Sequence, residues 1–188
     1  MEKTLKSFYF MLALALVTSL VTVVTKDKFA SLRSEQQSVA NDSPEAVQKN
    51  LDCLAMNIYR EAGYEPFEGK VAVAQVTINR AKDDTGRFPN KICEVVHQKN
   101  MFYEKVVCQF SWYCDRESLT PVNKQKYQES YAVAKKVYLE GFRLDGLDEA
   151  LYYHADYMNP NWNLQKVLHI GQHIFYKDRD NDRLNHKS

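Results

Sequence analysis

The side chains best suited to acid–base chemistry cluster in residues 54–80, LAMNIYREAGYEPFEGKVAVAQVTINR. Glu61 stands out because the apolar residues before it recur at spacings of three and four, which predicts a helix ending just beyond it. Unpaired carbonyls at a helix C-terminus carry partial negative charge, so a carboxyl there is held toward its protonated form. Tyr59, Tyr64 and Phe67 are near enough in sequence to desolvate it further. A carboxylic acid that keeps its proton can protonate a leaving oxygen, as in glycosidic bond cleavage. A second carboxylate, if one assists, would come from Glu65, Glu68, Asp115 or Asp156; Glu65 lies only four residues from Glu61 and can equally cap or bridge the loop that follows.

Gln109, Ser111 and Trp112 offer amide, hydroxyl and indole groups, the equipment of a cleft that binds sugars. Tyr153, His154, Asn159 and Trp162 make a similar set, with sugar contact and local packing both open. His169 and His173 are spaced as helical metal-ligand pairs are, and Asp156 with His154 would add ligands. The segment between them reads HIGQH and lacks the glutamate of the zinc-peptidase HExxH motif, so neither metal nor cofactor is expected.

Three helices must position these groups. Ser43 as cap, Pro44 at the first position and Glu45 in the first turn start a helix that closes at Gly63, a residue suited to a left-handed stop. Residues 69–80 are apolar almost all round, which predicts a helix buried on several sides. The EAGYEPFEG link between the two reads as a tight loop. Residues 124–140 present Tyr127, Tyr131, Ala134 and Tyr138 on one face and end at Gly141.

IYREAGYEP, EGKVAVAQVTINR, Phe88-Pro89, QFSW at 109–112, YYHADYMNPNW at 152–162 and IGQHIFY at 170–176 occur in one order. In that order they resemble the SleB/CwlJ-type cell wall hydrolases, the spore-cortex-lytic enzymes and their bacterial and phage relatives. The resemblance implies a mainly α (α+β) domain of lysozyme/lytic-transglycosylase-like type with a small β or irregular element. It also implies cleavage of peptidoglycan glycan strands between N-acetylmuramic acid and N-acetylglucosamine. The glutamate of the family's E-A-R-G-E-P motif, its catalytic acid, falls on Glu61, and the motif's second glutamate on Glu65. The chain departs from the motif at Gly63, where arginine is usual, and at Tyr64, where glycine is usual. One carboxyl suffices if the sugar's own 6-hydroxyl attacks, which is lytic transglycosylation; two give hydrolysis. The alternatives are a metal-dependent wall peptidase and a non-catalytic peptidoglycan-binding module.

The expected organisation is a signal anchor or transmembrane helix at 1–26, a polar linker at 27–43, the catalytic domain at 44–177 and a charged tail at 178–188. Residues 7–25 are uncharged, long enough to span a bilayer, and no clean cleavage site follows them, so an uncleaved anchor in the cytoplasmic membrane is preferred to cleaved secretion. A wall substrate places the domain outside the cytoplasm. Four cysteines, at 53, 93, 108 and 114, form no C-x-x-C pair and allow three disulfide connectivities in an exported chain. A net charge of +1 gives no support to nucleic acid as a partner.

Overall fold

The computed structural model describes residues 2–115 and 120–179. Its chain divides into two compact units, Met1–Asp42 and Ser43–Ser188. The first is a single helix, α1 (Glu2–Asn41). The polar stretch expected as a linker is helical within it, up to Asn41. Among the described residues no helix is long and apolar enough to cross a membrane. Within the otherwise apolar run, Thr18, Thr22 and Thr25 insert hydroxyls that donate to carbonyls three or four residues back. Of the expected charged tail, residues 180–188 lie outside the described residues.

The second unit mixes helix and sheet. α2 (Pro44–Ala62) starts as its sequence demands, with the Ser43 hydroxyl accepting from the Ala46 N–H at 3.2 Å. Gly63 is not left-handed, as its type suggested: its φ is −57°. A Cβ there would lie 2.4 Å from the Tyr59 carbonyl oxygen, so it is close approach that calls for glycine. α3 (Phe67–Ala81) is buried from Gly69 through Ile78, which is why its apolar residues cover the whole circumference. After the short α4 (Ile92–Val96), a hairpin pairs β1 (Lys99–Phe102) with β2 (Lys105–Cys108), and a 3-10 turn at Ser111–Tyr113 follows. α5 (Lys124–Tyr138) is capped by the Asn123 side chain and followed by Gly141 at φ +72°. It packs on α2 and α3, burying Leu54, Ile58, Val73, Val133 and Val137.

The β content is larger than the sequence suggested. β3 (Tyr152–Ala155), β4 (Gln165–Ile170) and β5 (His173–Lys177) form an antiparallel sheet in the order β3-β5-β4. The helical reading of HIGQH is therefore wrong: Gly171, at φ +57°, turns β4 into β5. Phe175 on the inner face joins Ala72, Val76, Leu147 and Ala150 in one cluster. Two disulfides, Cys53–Cys93 and Cys108–Cys114, tie α2 to α4 and close the loop around Gln109–Trp112.

Polar groups on α3 fix the approach to β3. Gln75 donates to the Leu144 carbonyl at 3.2 Å and accepts from its N–H at 2.9 Å. Asn79 donates to the carbonyls of Leu147 and Ala150 at 2.7 and 2.9 Å. The Arg80 Nε donates to the Leu151 carbonyl at 2.7 Å. Loop backbone this close to the core needs such partners, and they set where β3 begins.

Candidate active site

Glu61 lies in the last turn of α2, half-buried, with β3 beside it. The Tyr153 hydroxyl donates to Glu61 Oε2 at 3.0 Å, joining two residues 92 apart in sequence. Burial raises the Glu61 pKa above the ordinary carboxylate value, while the Tyr153 hydrogen bond and the charge of Arg80 pull it back. Burial and the neighbouring Glu61 also push the Tyr153 hydroxyl well up, so it serves as a neutral donor.

Arg80 completes this group and was not singled out from the sequence. Only 4% of it is exposed. Its guanidinium carbon sits 5.3, 5.2 and 6.0 Å from the ring centroids of Phe88, Phe110 and Tyr153. Nη1 is buried without a hydrogen-bond partner among the described residues. Burial lowers its pKa, and Tyr153 and Glu61 oppose that. The signal that could have found it is a permanent cation near the end of a helix that is buried from Gly69 through Ile78.

Glu65, the expected assisting carboxylate, is turned to another task. Its oxygens accept the Gln172 N–H at 3.1 and 3.3 Å, and His173 Nδ1 lies 3.7 Å away. A Cβ at Gly171 would sit 1.8 Å from its Oε2, and one at Gly69 2.9 Å, so both glycines make room for this carboxylate. It clamps the β4–β5 turn to the start of α3. The other candidate carboxylates, Glu68, Asp115 and Asp156, are exposed, and Asp156 lies 3.7 Å from His169.

The other expected contacts divide between two faces of the sheet. Tyr153 faces inward with Phe175 and His173, at centroid distances of 5.6 and 5.2 Å. His154 faces outward, stacked on Tyr176 at 5.2 Å, with its Nε2 2.9 Å from the Tyr176 hydroxyl. Trp162, 42% exposed, packs edge-on against both, and Asn159 is exposed nearby. Trp112 is buried, its indole N–H donating to Asn57 Oδ1 at 3.0 Å; Asn57 in turn donates to Thr77. Its side chain is thus a core anchor, with Ser111 exposed and Gln109 half-buried beside it.

The histidines do not converge. His169 pairs with Ile174 and His173 with Ile170, so the two point to opposite faces of the sheet. Burial lowers the His173 pKa. Among the described residues the one group with metal-ligand spacing is Cys53, Cys93 and His97, and both its thiols are in the disulfide.

A sequence profile of the Cell Wall Hydrolase family matches residues 64–176, more than half of the chain, beginning three residues after Glu61. The spore cortex-lytic enzyme of Bacillus subtilis (strain 168) is 29% identical over 150 residues, covering 75% of this chain and 42% of that protein. Its counterpart from Oceanobacillus iheyensis is 30% identical over 138 residues, covering 69% and 42%. The chain thus aligns with less than half the length of these relatives. The crystal structure of the catalytic domain of the Bacillus cereus SleB protein superposes with a TM-score of 0.51 at 26% identity, covering 69% of this chain and 91% of that one.

Proposed function

The chain belongs to the Cell Wall Hydrolase family, and from that premise we propose that it cleaves peptidoglycan glycan strands between N-acetylmuramic acid and N-acetylglucosamine with Glu61 as its general acid. The observation that carries this is the Glu61 carboxyl itself, half-buried at a helix end, its pKa raised by burial, and bonded through Oε2 to a neutral tyrosine hydroxyl. With Oε2 occupied, Oε1 is left to carry the proton to the leaving glycosidic oxygen. Arg80 and Tyr153 then stabilise the carboxylate that remains, as a buried site requires of any acid that must release its proton.

The commitment of Glu65 to the Gln172 N–H and His173 favours a single-carboxylate route. In that route the sugar's 6-hydroxyl attacks the anomeric carbon, Glu61 takes back its proton, and a 1,6-anhydro sugar is released. Gln109, Ser111, Tyr153, His154, Asn159 and Trp162 are the proposed contacts to the glycan. Two disulfides support a site of action outside the reducing cytoplasm. Attachment to the cytoplasmic membrane through the uncharged run 7–25 belongs to the same proposal, and fractionation of cells expressing the full chain tests it.

The test of the chemistry is digestion of purified peptidoglycan by the full chain, with Glu61→Gln and EDTA arms, and mass spectrometry of the fragments. Anhydro-muropeptides that vanish in the variant and persist in EDTA are expected. Reducing-end sugars would replace transglycosylation by hydrolysis. Free peptide stems lost in EDTA would overturn the glycosidase reading, and binding without release would leave a non-catalytic module.

A further inference from the structure

Beside the Glu61 site runs a groove of about 770 Å³ that the glycan chemistry does not use. The loop Tyr64–Pro66 and the first turns of α3 form one wall, with Phe67 and Lys70; α5 forms the other, with Lys126, Ala132, Val133 and Lys136. Its apolar surface includes Phe67, 40% exposed and packed on Phe142, and the exposed Tyr64.

The charges in this groove do not balance. Glu129 is the one acid in the lining whose carboxylate meets its lysines, and it serves two of them, Lys70 at 3.0 Å and Lys126 at 3.1 Å. Lys136 meets the exposed Glu140 at 3.6 Å, an i,i+4 pair of the kind that contributes little, and its ammonium lies over the Phe142 ring at 5.4 Å. Glu65 lines the groove as well, but its carboxylate is spent on the Gln172 N–H and His173. A surplus of ammonium groups over an apolar floor suits a short acidic chain carrying small aliphatic side chains.

We propose that this groove binds the peptide stem of peptidoglycan, with the stem carboxylates on Lys126 and Lys136 and its alanine methyls against Phe67 and Val133. The assignment rests on the reading of the chain as a glycan-strand cleaver, since the stem hangs from the muramic sugar whose bond Glu61 would break. Tyr64 and Glu65 line the groove only three and four residues after Glu61, so one substrate can occupy both places. A stem of four residues reaches roughly 14 Å when extended, enough to run along a groove of this size. The groove would then favour strands that still carry stems over naked glycan.

The test is a titration of the full chain with a free stem tetrapeptide (L-Ala, D-Glu, a diamino acid, D-Ala), followed by calorimetry and by shifts of the α5 methyl resonances. Saturable, salt-sensitive binding is expected. It should weaken about tenfold or more in Lys126→Glu/Lys136→Glu, the scale of lost charge-assisted contacts. It should weaken similarly in Ala132→Trp, which fills the groove without changing its charge. Amidation of the peptide's carboxylates should have the same effect. No saturable binding, or variants that bind as the wild type does, would overturn the proposal. The two readings fail separately: a chain that binds the stem but leaves peptidoglycan uncut keeps the groove and loses the cleavage, and a chain that cuts without binding the stem does the reverse.

Discussion

The two faces of β3 differ in almost every respect although their residues alternate along one strand. Tyr153 points inward, where its hydroxyl meets Glu61, its ring lies by Arg80, and burial raises the Glu61 pKa. Tyr152 and His154 point outward into a cluster of rings with Trp162 and Tyr176. There Arg87 holds Asp178 through two bonds of 3.0 and 2.6 Å and meets the Tyr152 hydroxyl at 2.5 Å. On the proposed function, the inner face shifts the proton affinity of Glu61 and the outer face offers aromatic rings to a sugar. Neighbours in sequence can thus serve different steps because the strand period of two separates them.

Glu61→Gln should break the inner face most severely. Release of fragments should fall by about 10²- to 10⁴-fold, the usual weight of a positioned general acid. The same variant should melt higher than the wild type at neutral pH. Burial raises the folded-state pKa of Glu61, so the stability this group contributes is present below its unfolded pKa and lost as pH rises through the folded one. The melting-temperature gap between variant and wild type should therefore close as the pH is lowered, as a series of thermal scans would register. A gap that stays constant with pH would mean that Glu61 is not held protonated by burial.

Arg80→Gln should come next. The Leu151 carbonyl loses its Nε donor, which costs about 1–3 kcal/mol when the acceptor stays buried. Removing the cation also lets the Glu61 pKa climb further. The high-pH fall of kcat/KM, which follows loss of the acid's proton, should then move to higher pH. A destabilised variant with an unmoved pH profile would reduce Arg80 to a packing role.

How much of this was legible in the sequence follows from the same physics. α2 and α5 were readable because each keeps one periodicity for fifteen residues or more, α3 because its residues are apolar almost all round, and Ser43 and Pro44 mark the start of α2. Glu61 was readable as the last polar group of such a helix. The sheet was not: strands of four to six residues are too short for a period to declare itself, and the four-residue step from His169 to His173 looks helical until Gly171 turns the chain. Arg80 escaped because a polar residue closing a helix normally faces water, and only the return of the 144–151 segment over it shows otherwise. Trp112 misled in the opposite direction: its indole suits a sugar, and Asn57, 55 residues away, claims it for the core.

Tyr153→Phe removes one hydroxyl and leaves the inner packing on Phe175 in place. Without the donor on Oε2, the Glu61 carboxylate is less stabilised, so kcat should drop by about tenfold, the worth of one hydrogen bond to a charged acceptor. The high-pH limb should rise in the same direction as in Arg80→Gln, because both groups lower the Glu61 pKa. An unchanged limb would separate Tyr153 from proton control and return it to plain substrate contact.

The smallest effect is expected on the outer face. Trp162→Ala deletes a ring that is 42% exposed and packs on His154 and Tyr176, while the Glu61–Tyr153 bond lies on the other side of the strand. If the outer rings only hold the glycan, KM should rise by about three- to tenfold, the range of one lost aromatic contact, with kcat nearly constant. The pH limb should stay where the wild type has it, because none of the groups that set the Glu61 pKa is on that face. Kinetics of Trp162→Ala across the pH range therefore decide the comparison: a moved limb would mean that the two faces of β3 are coupled, and that the outer rings act on the proton as well as on the sugar.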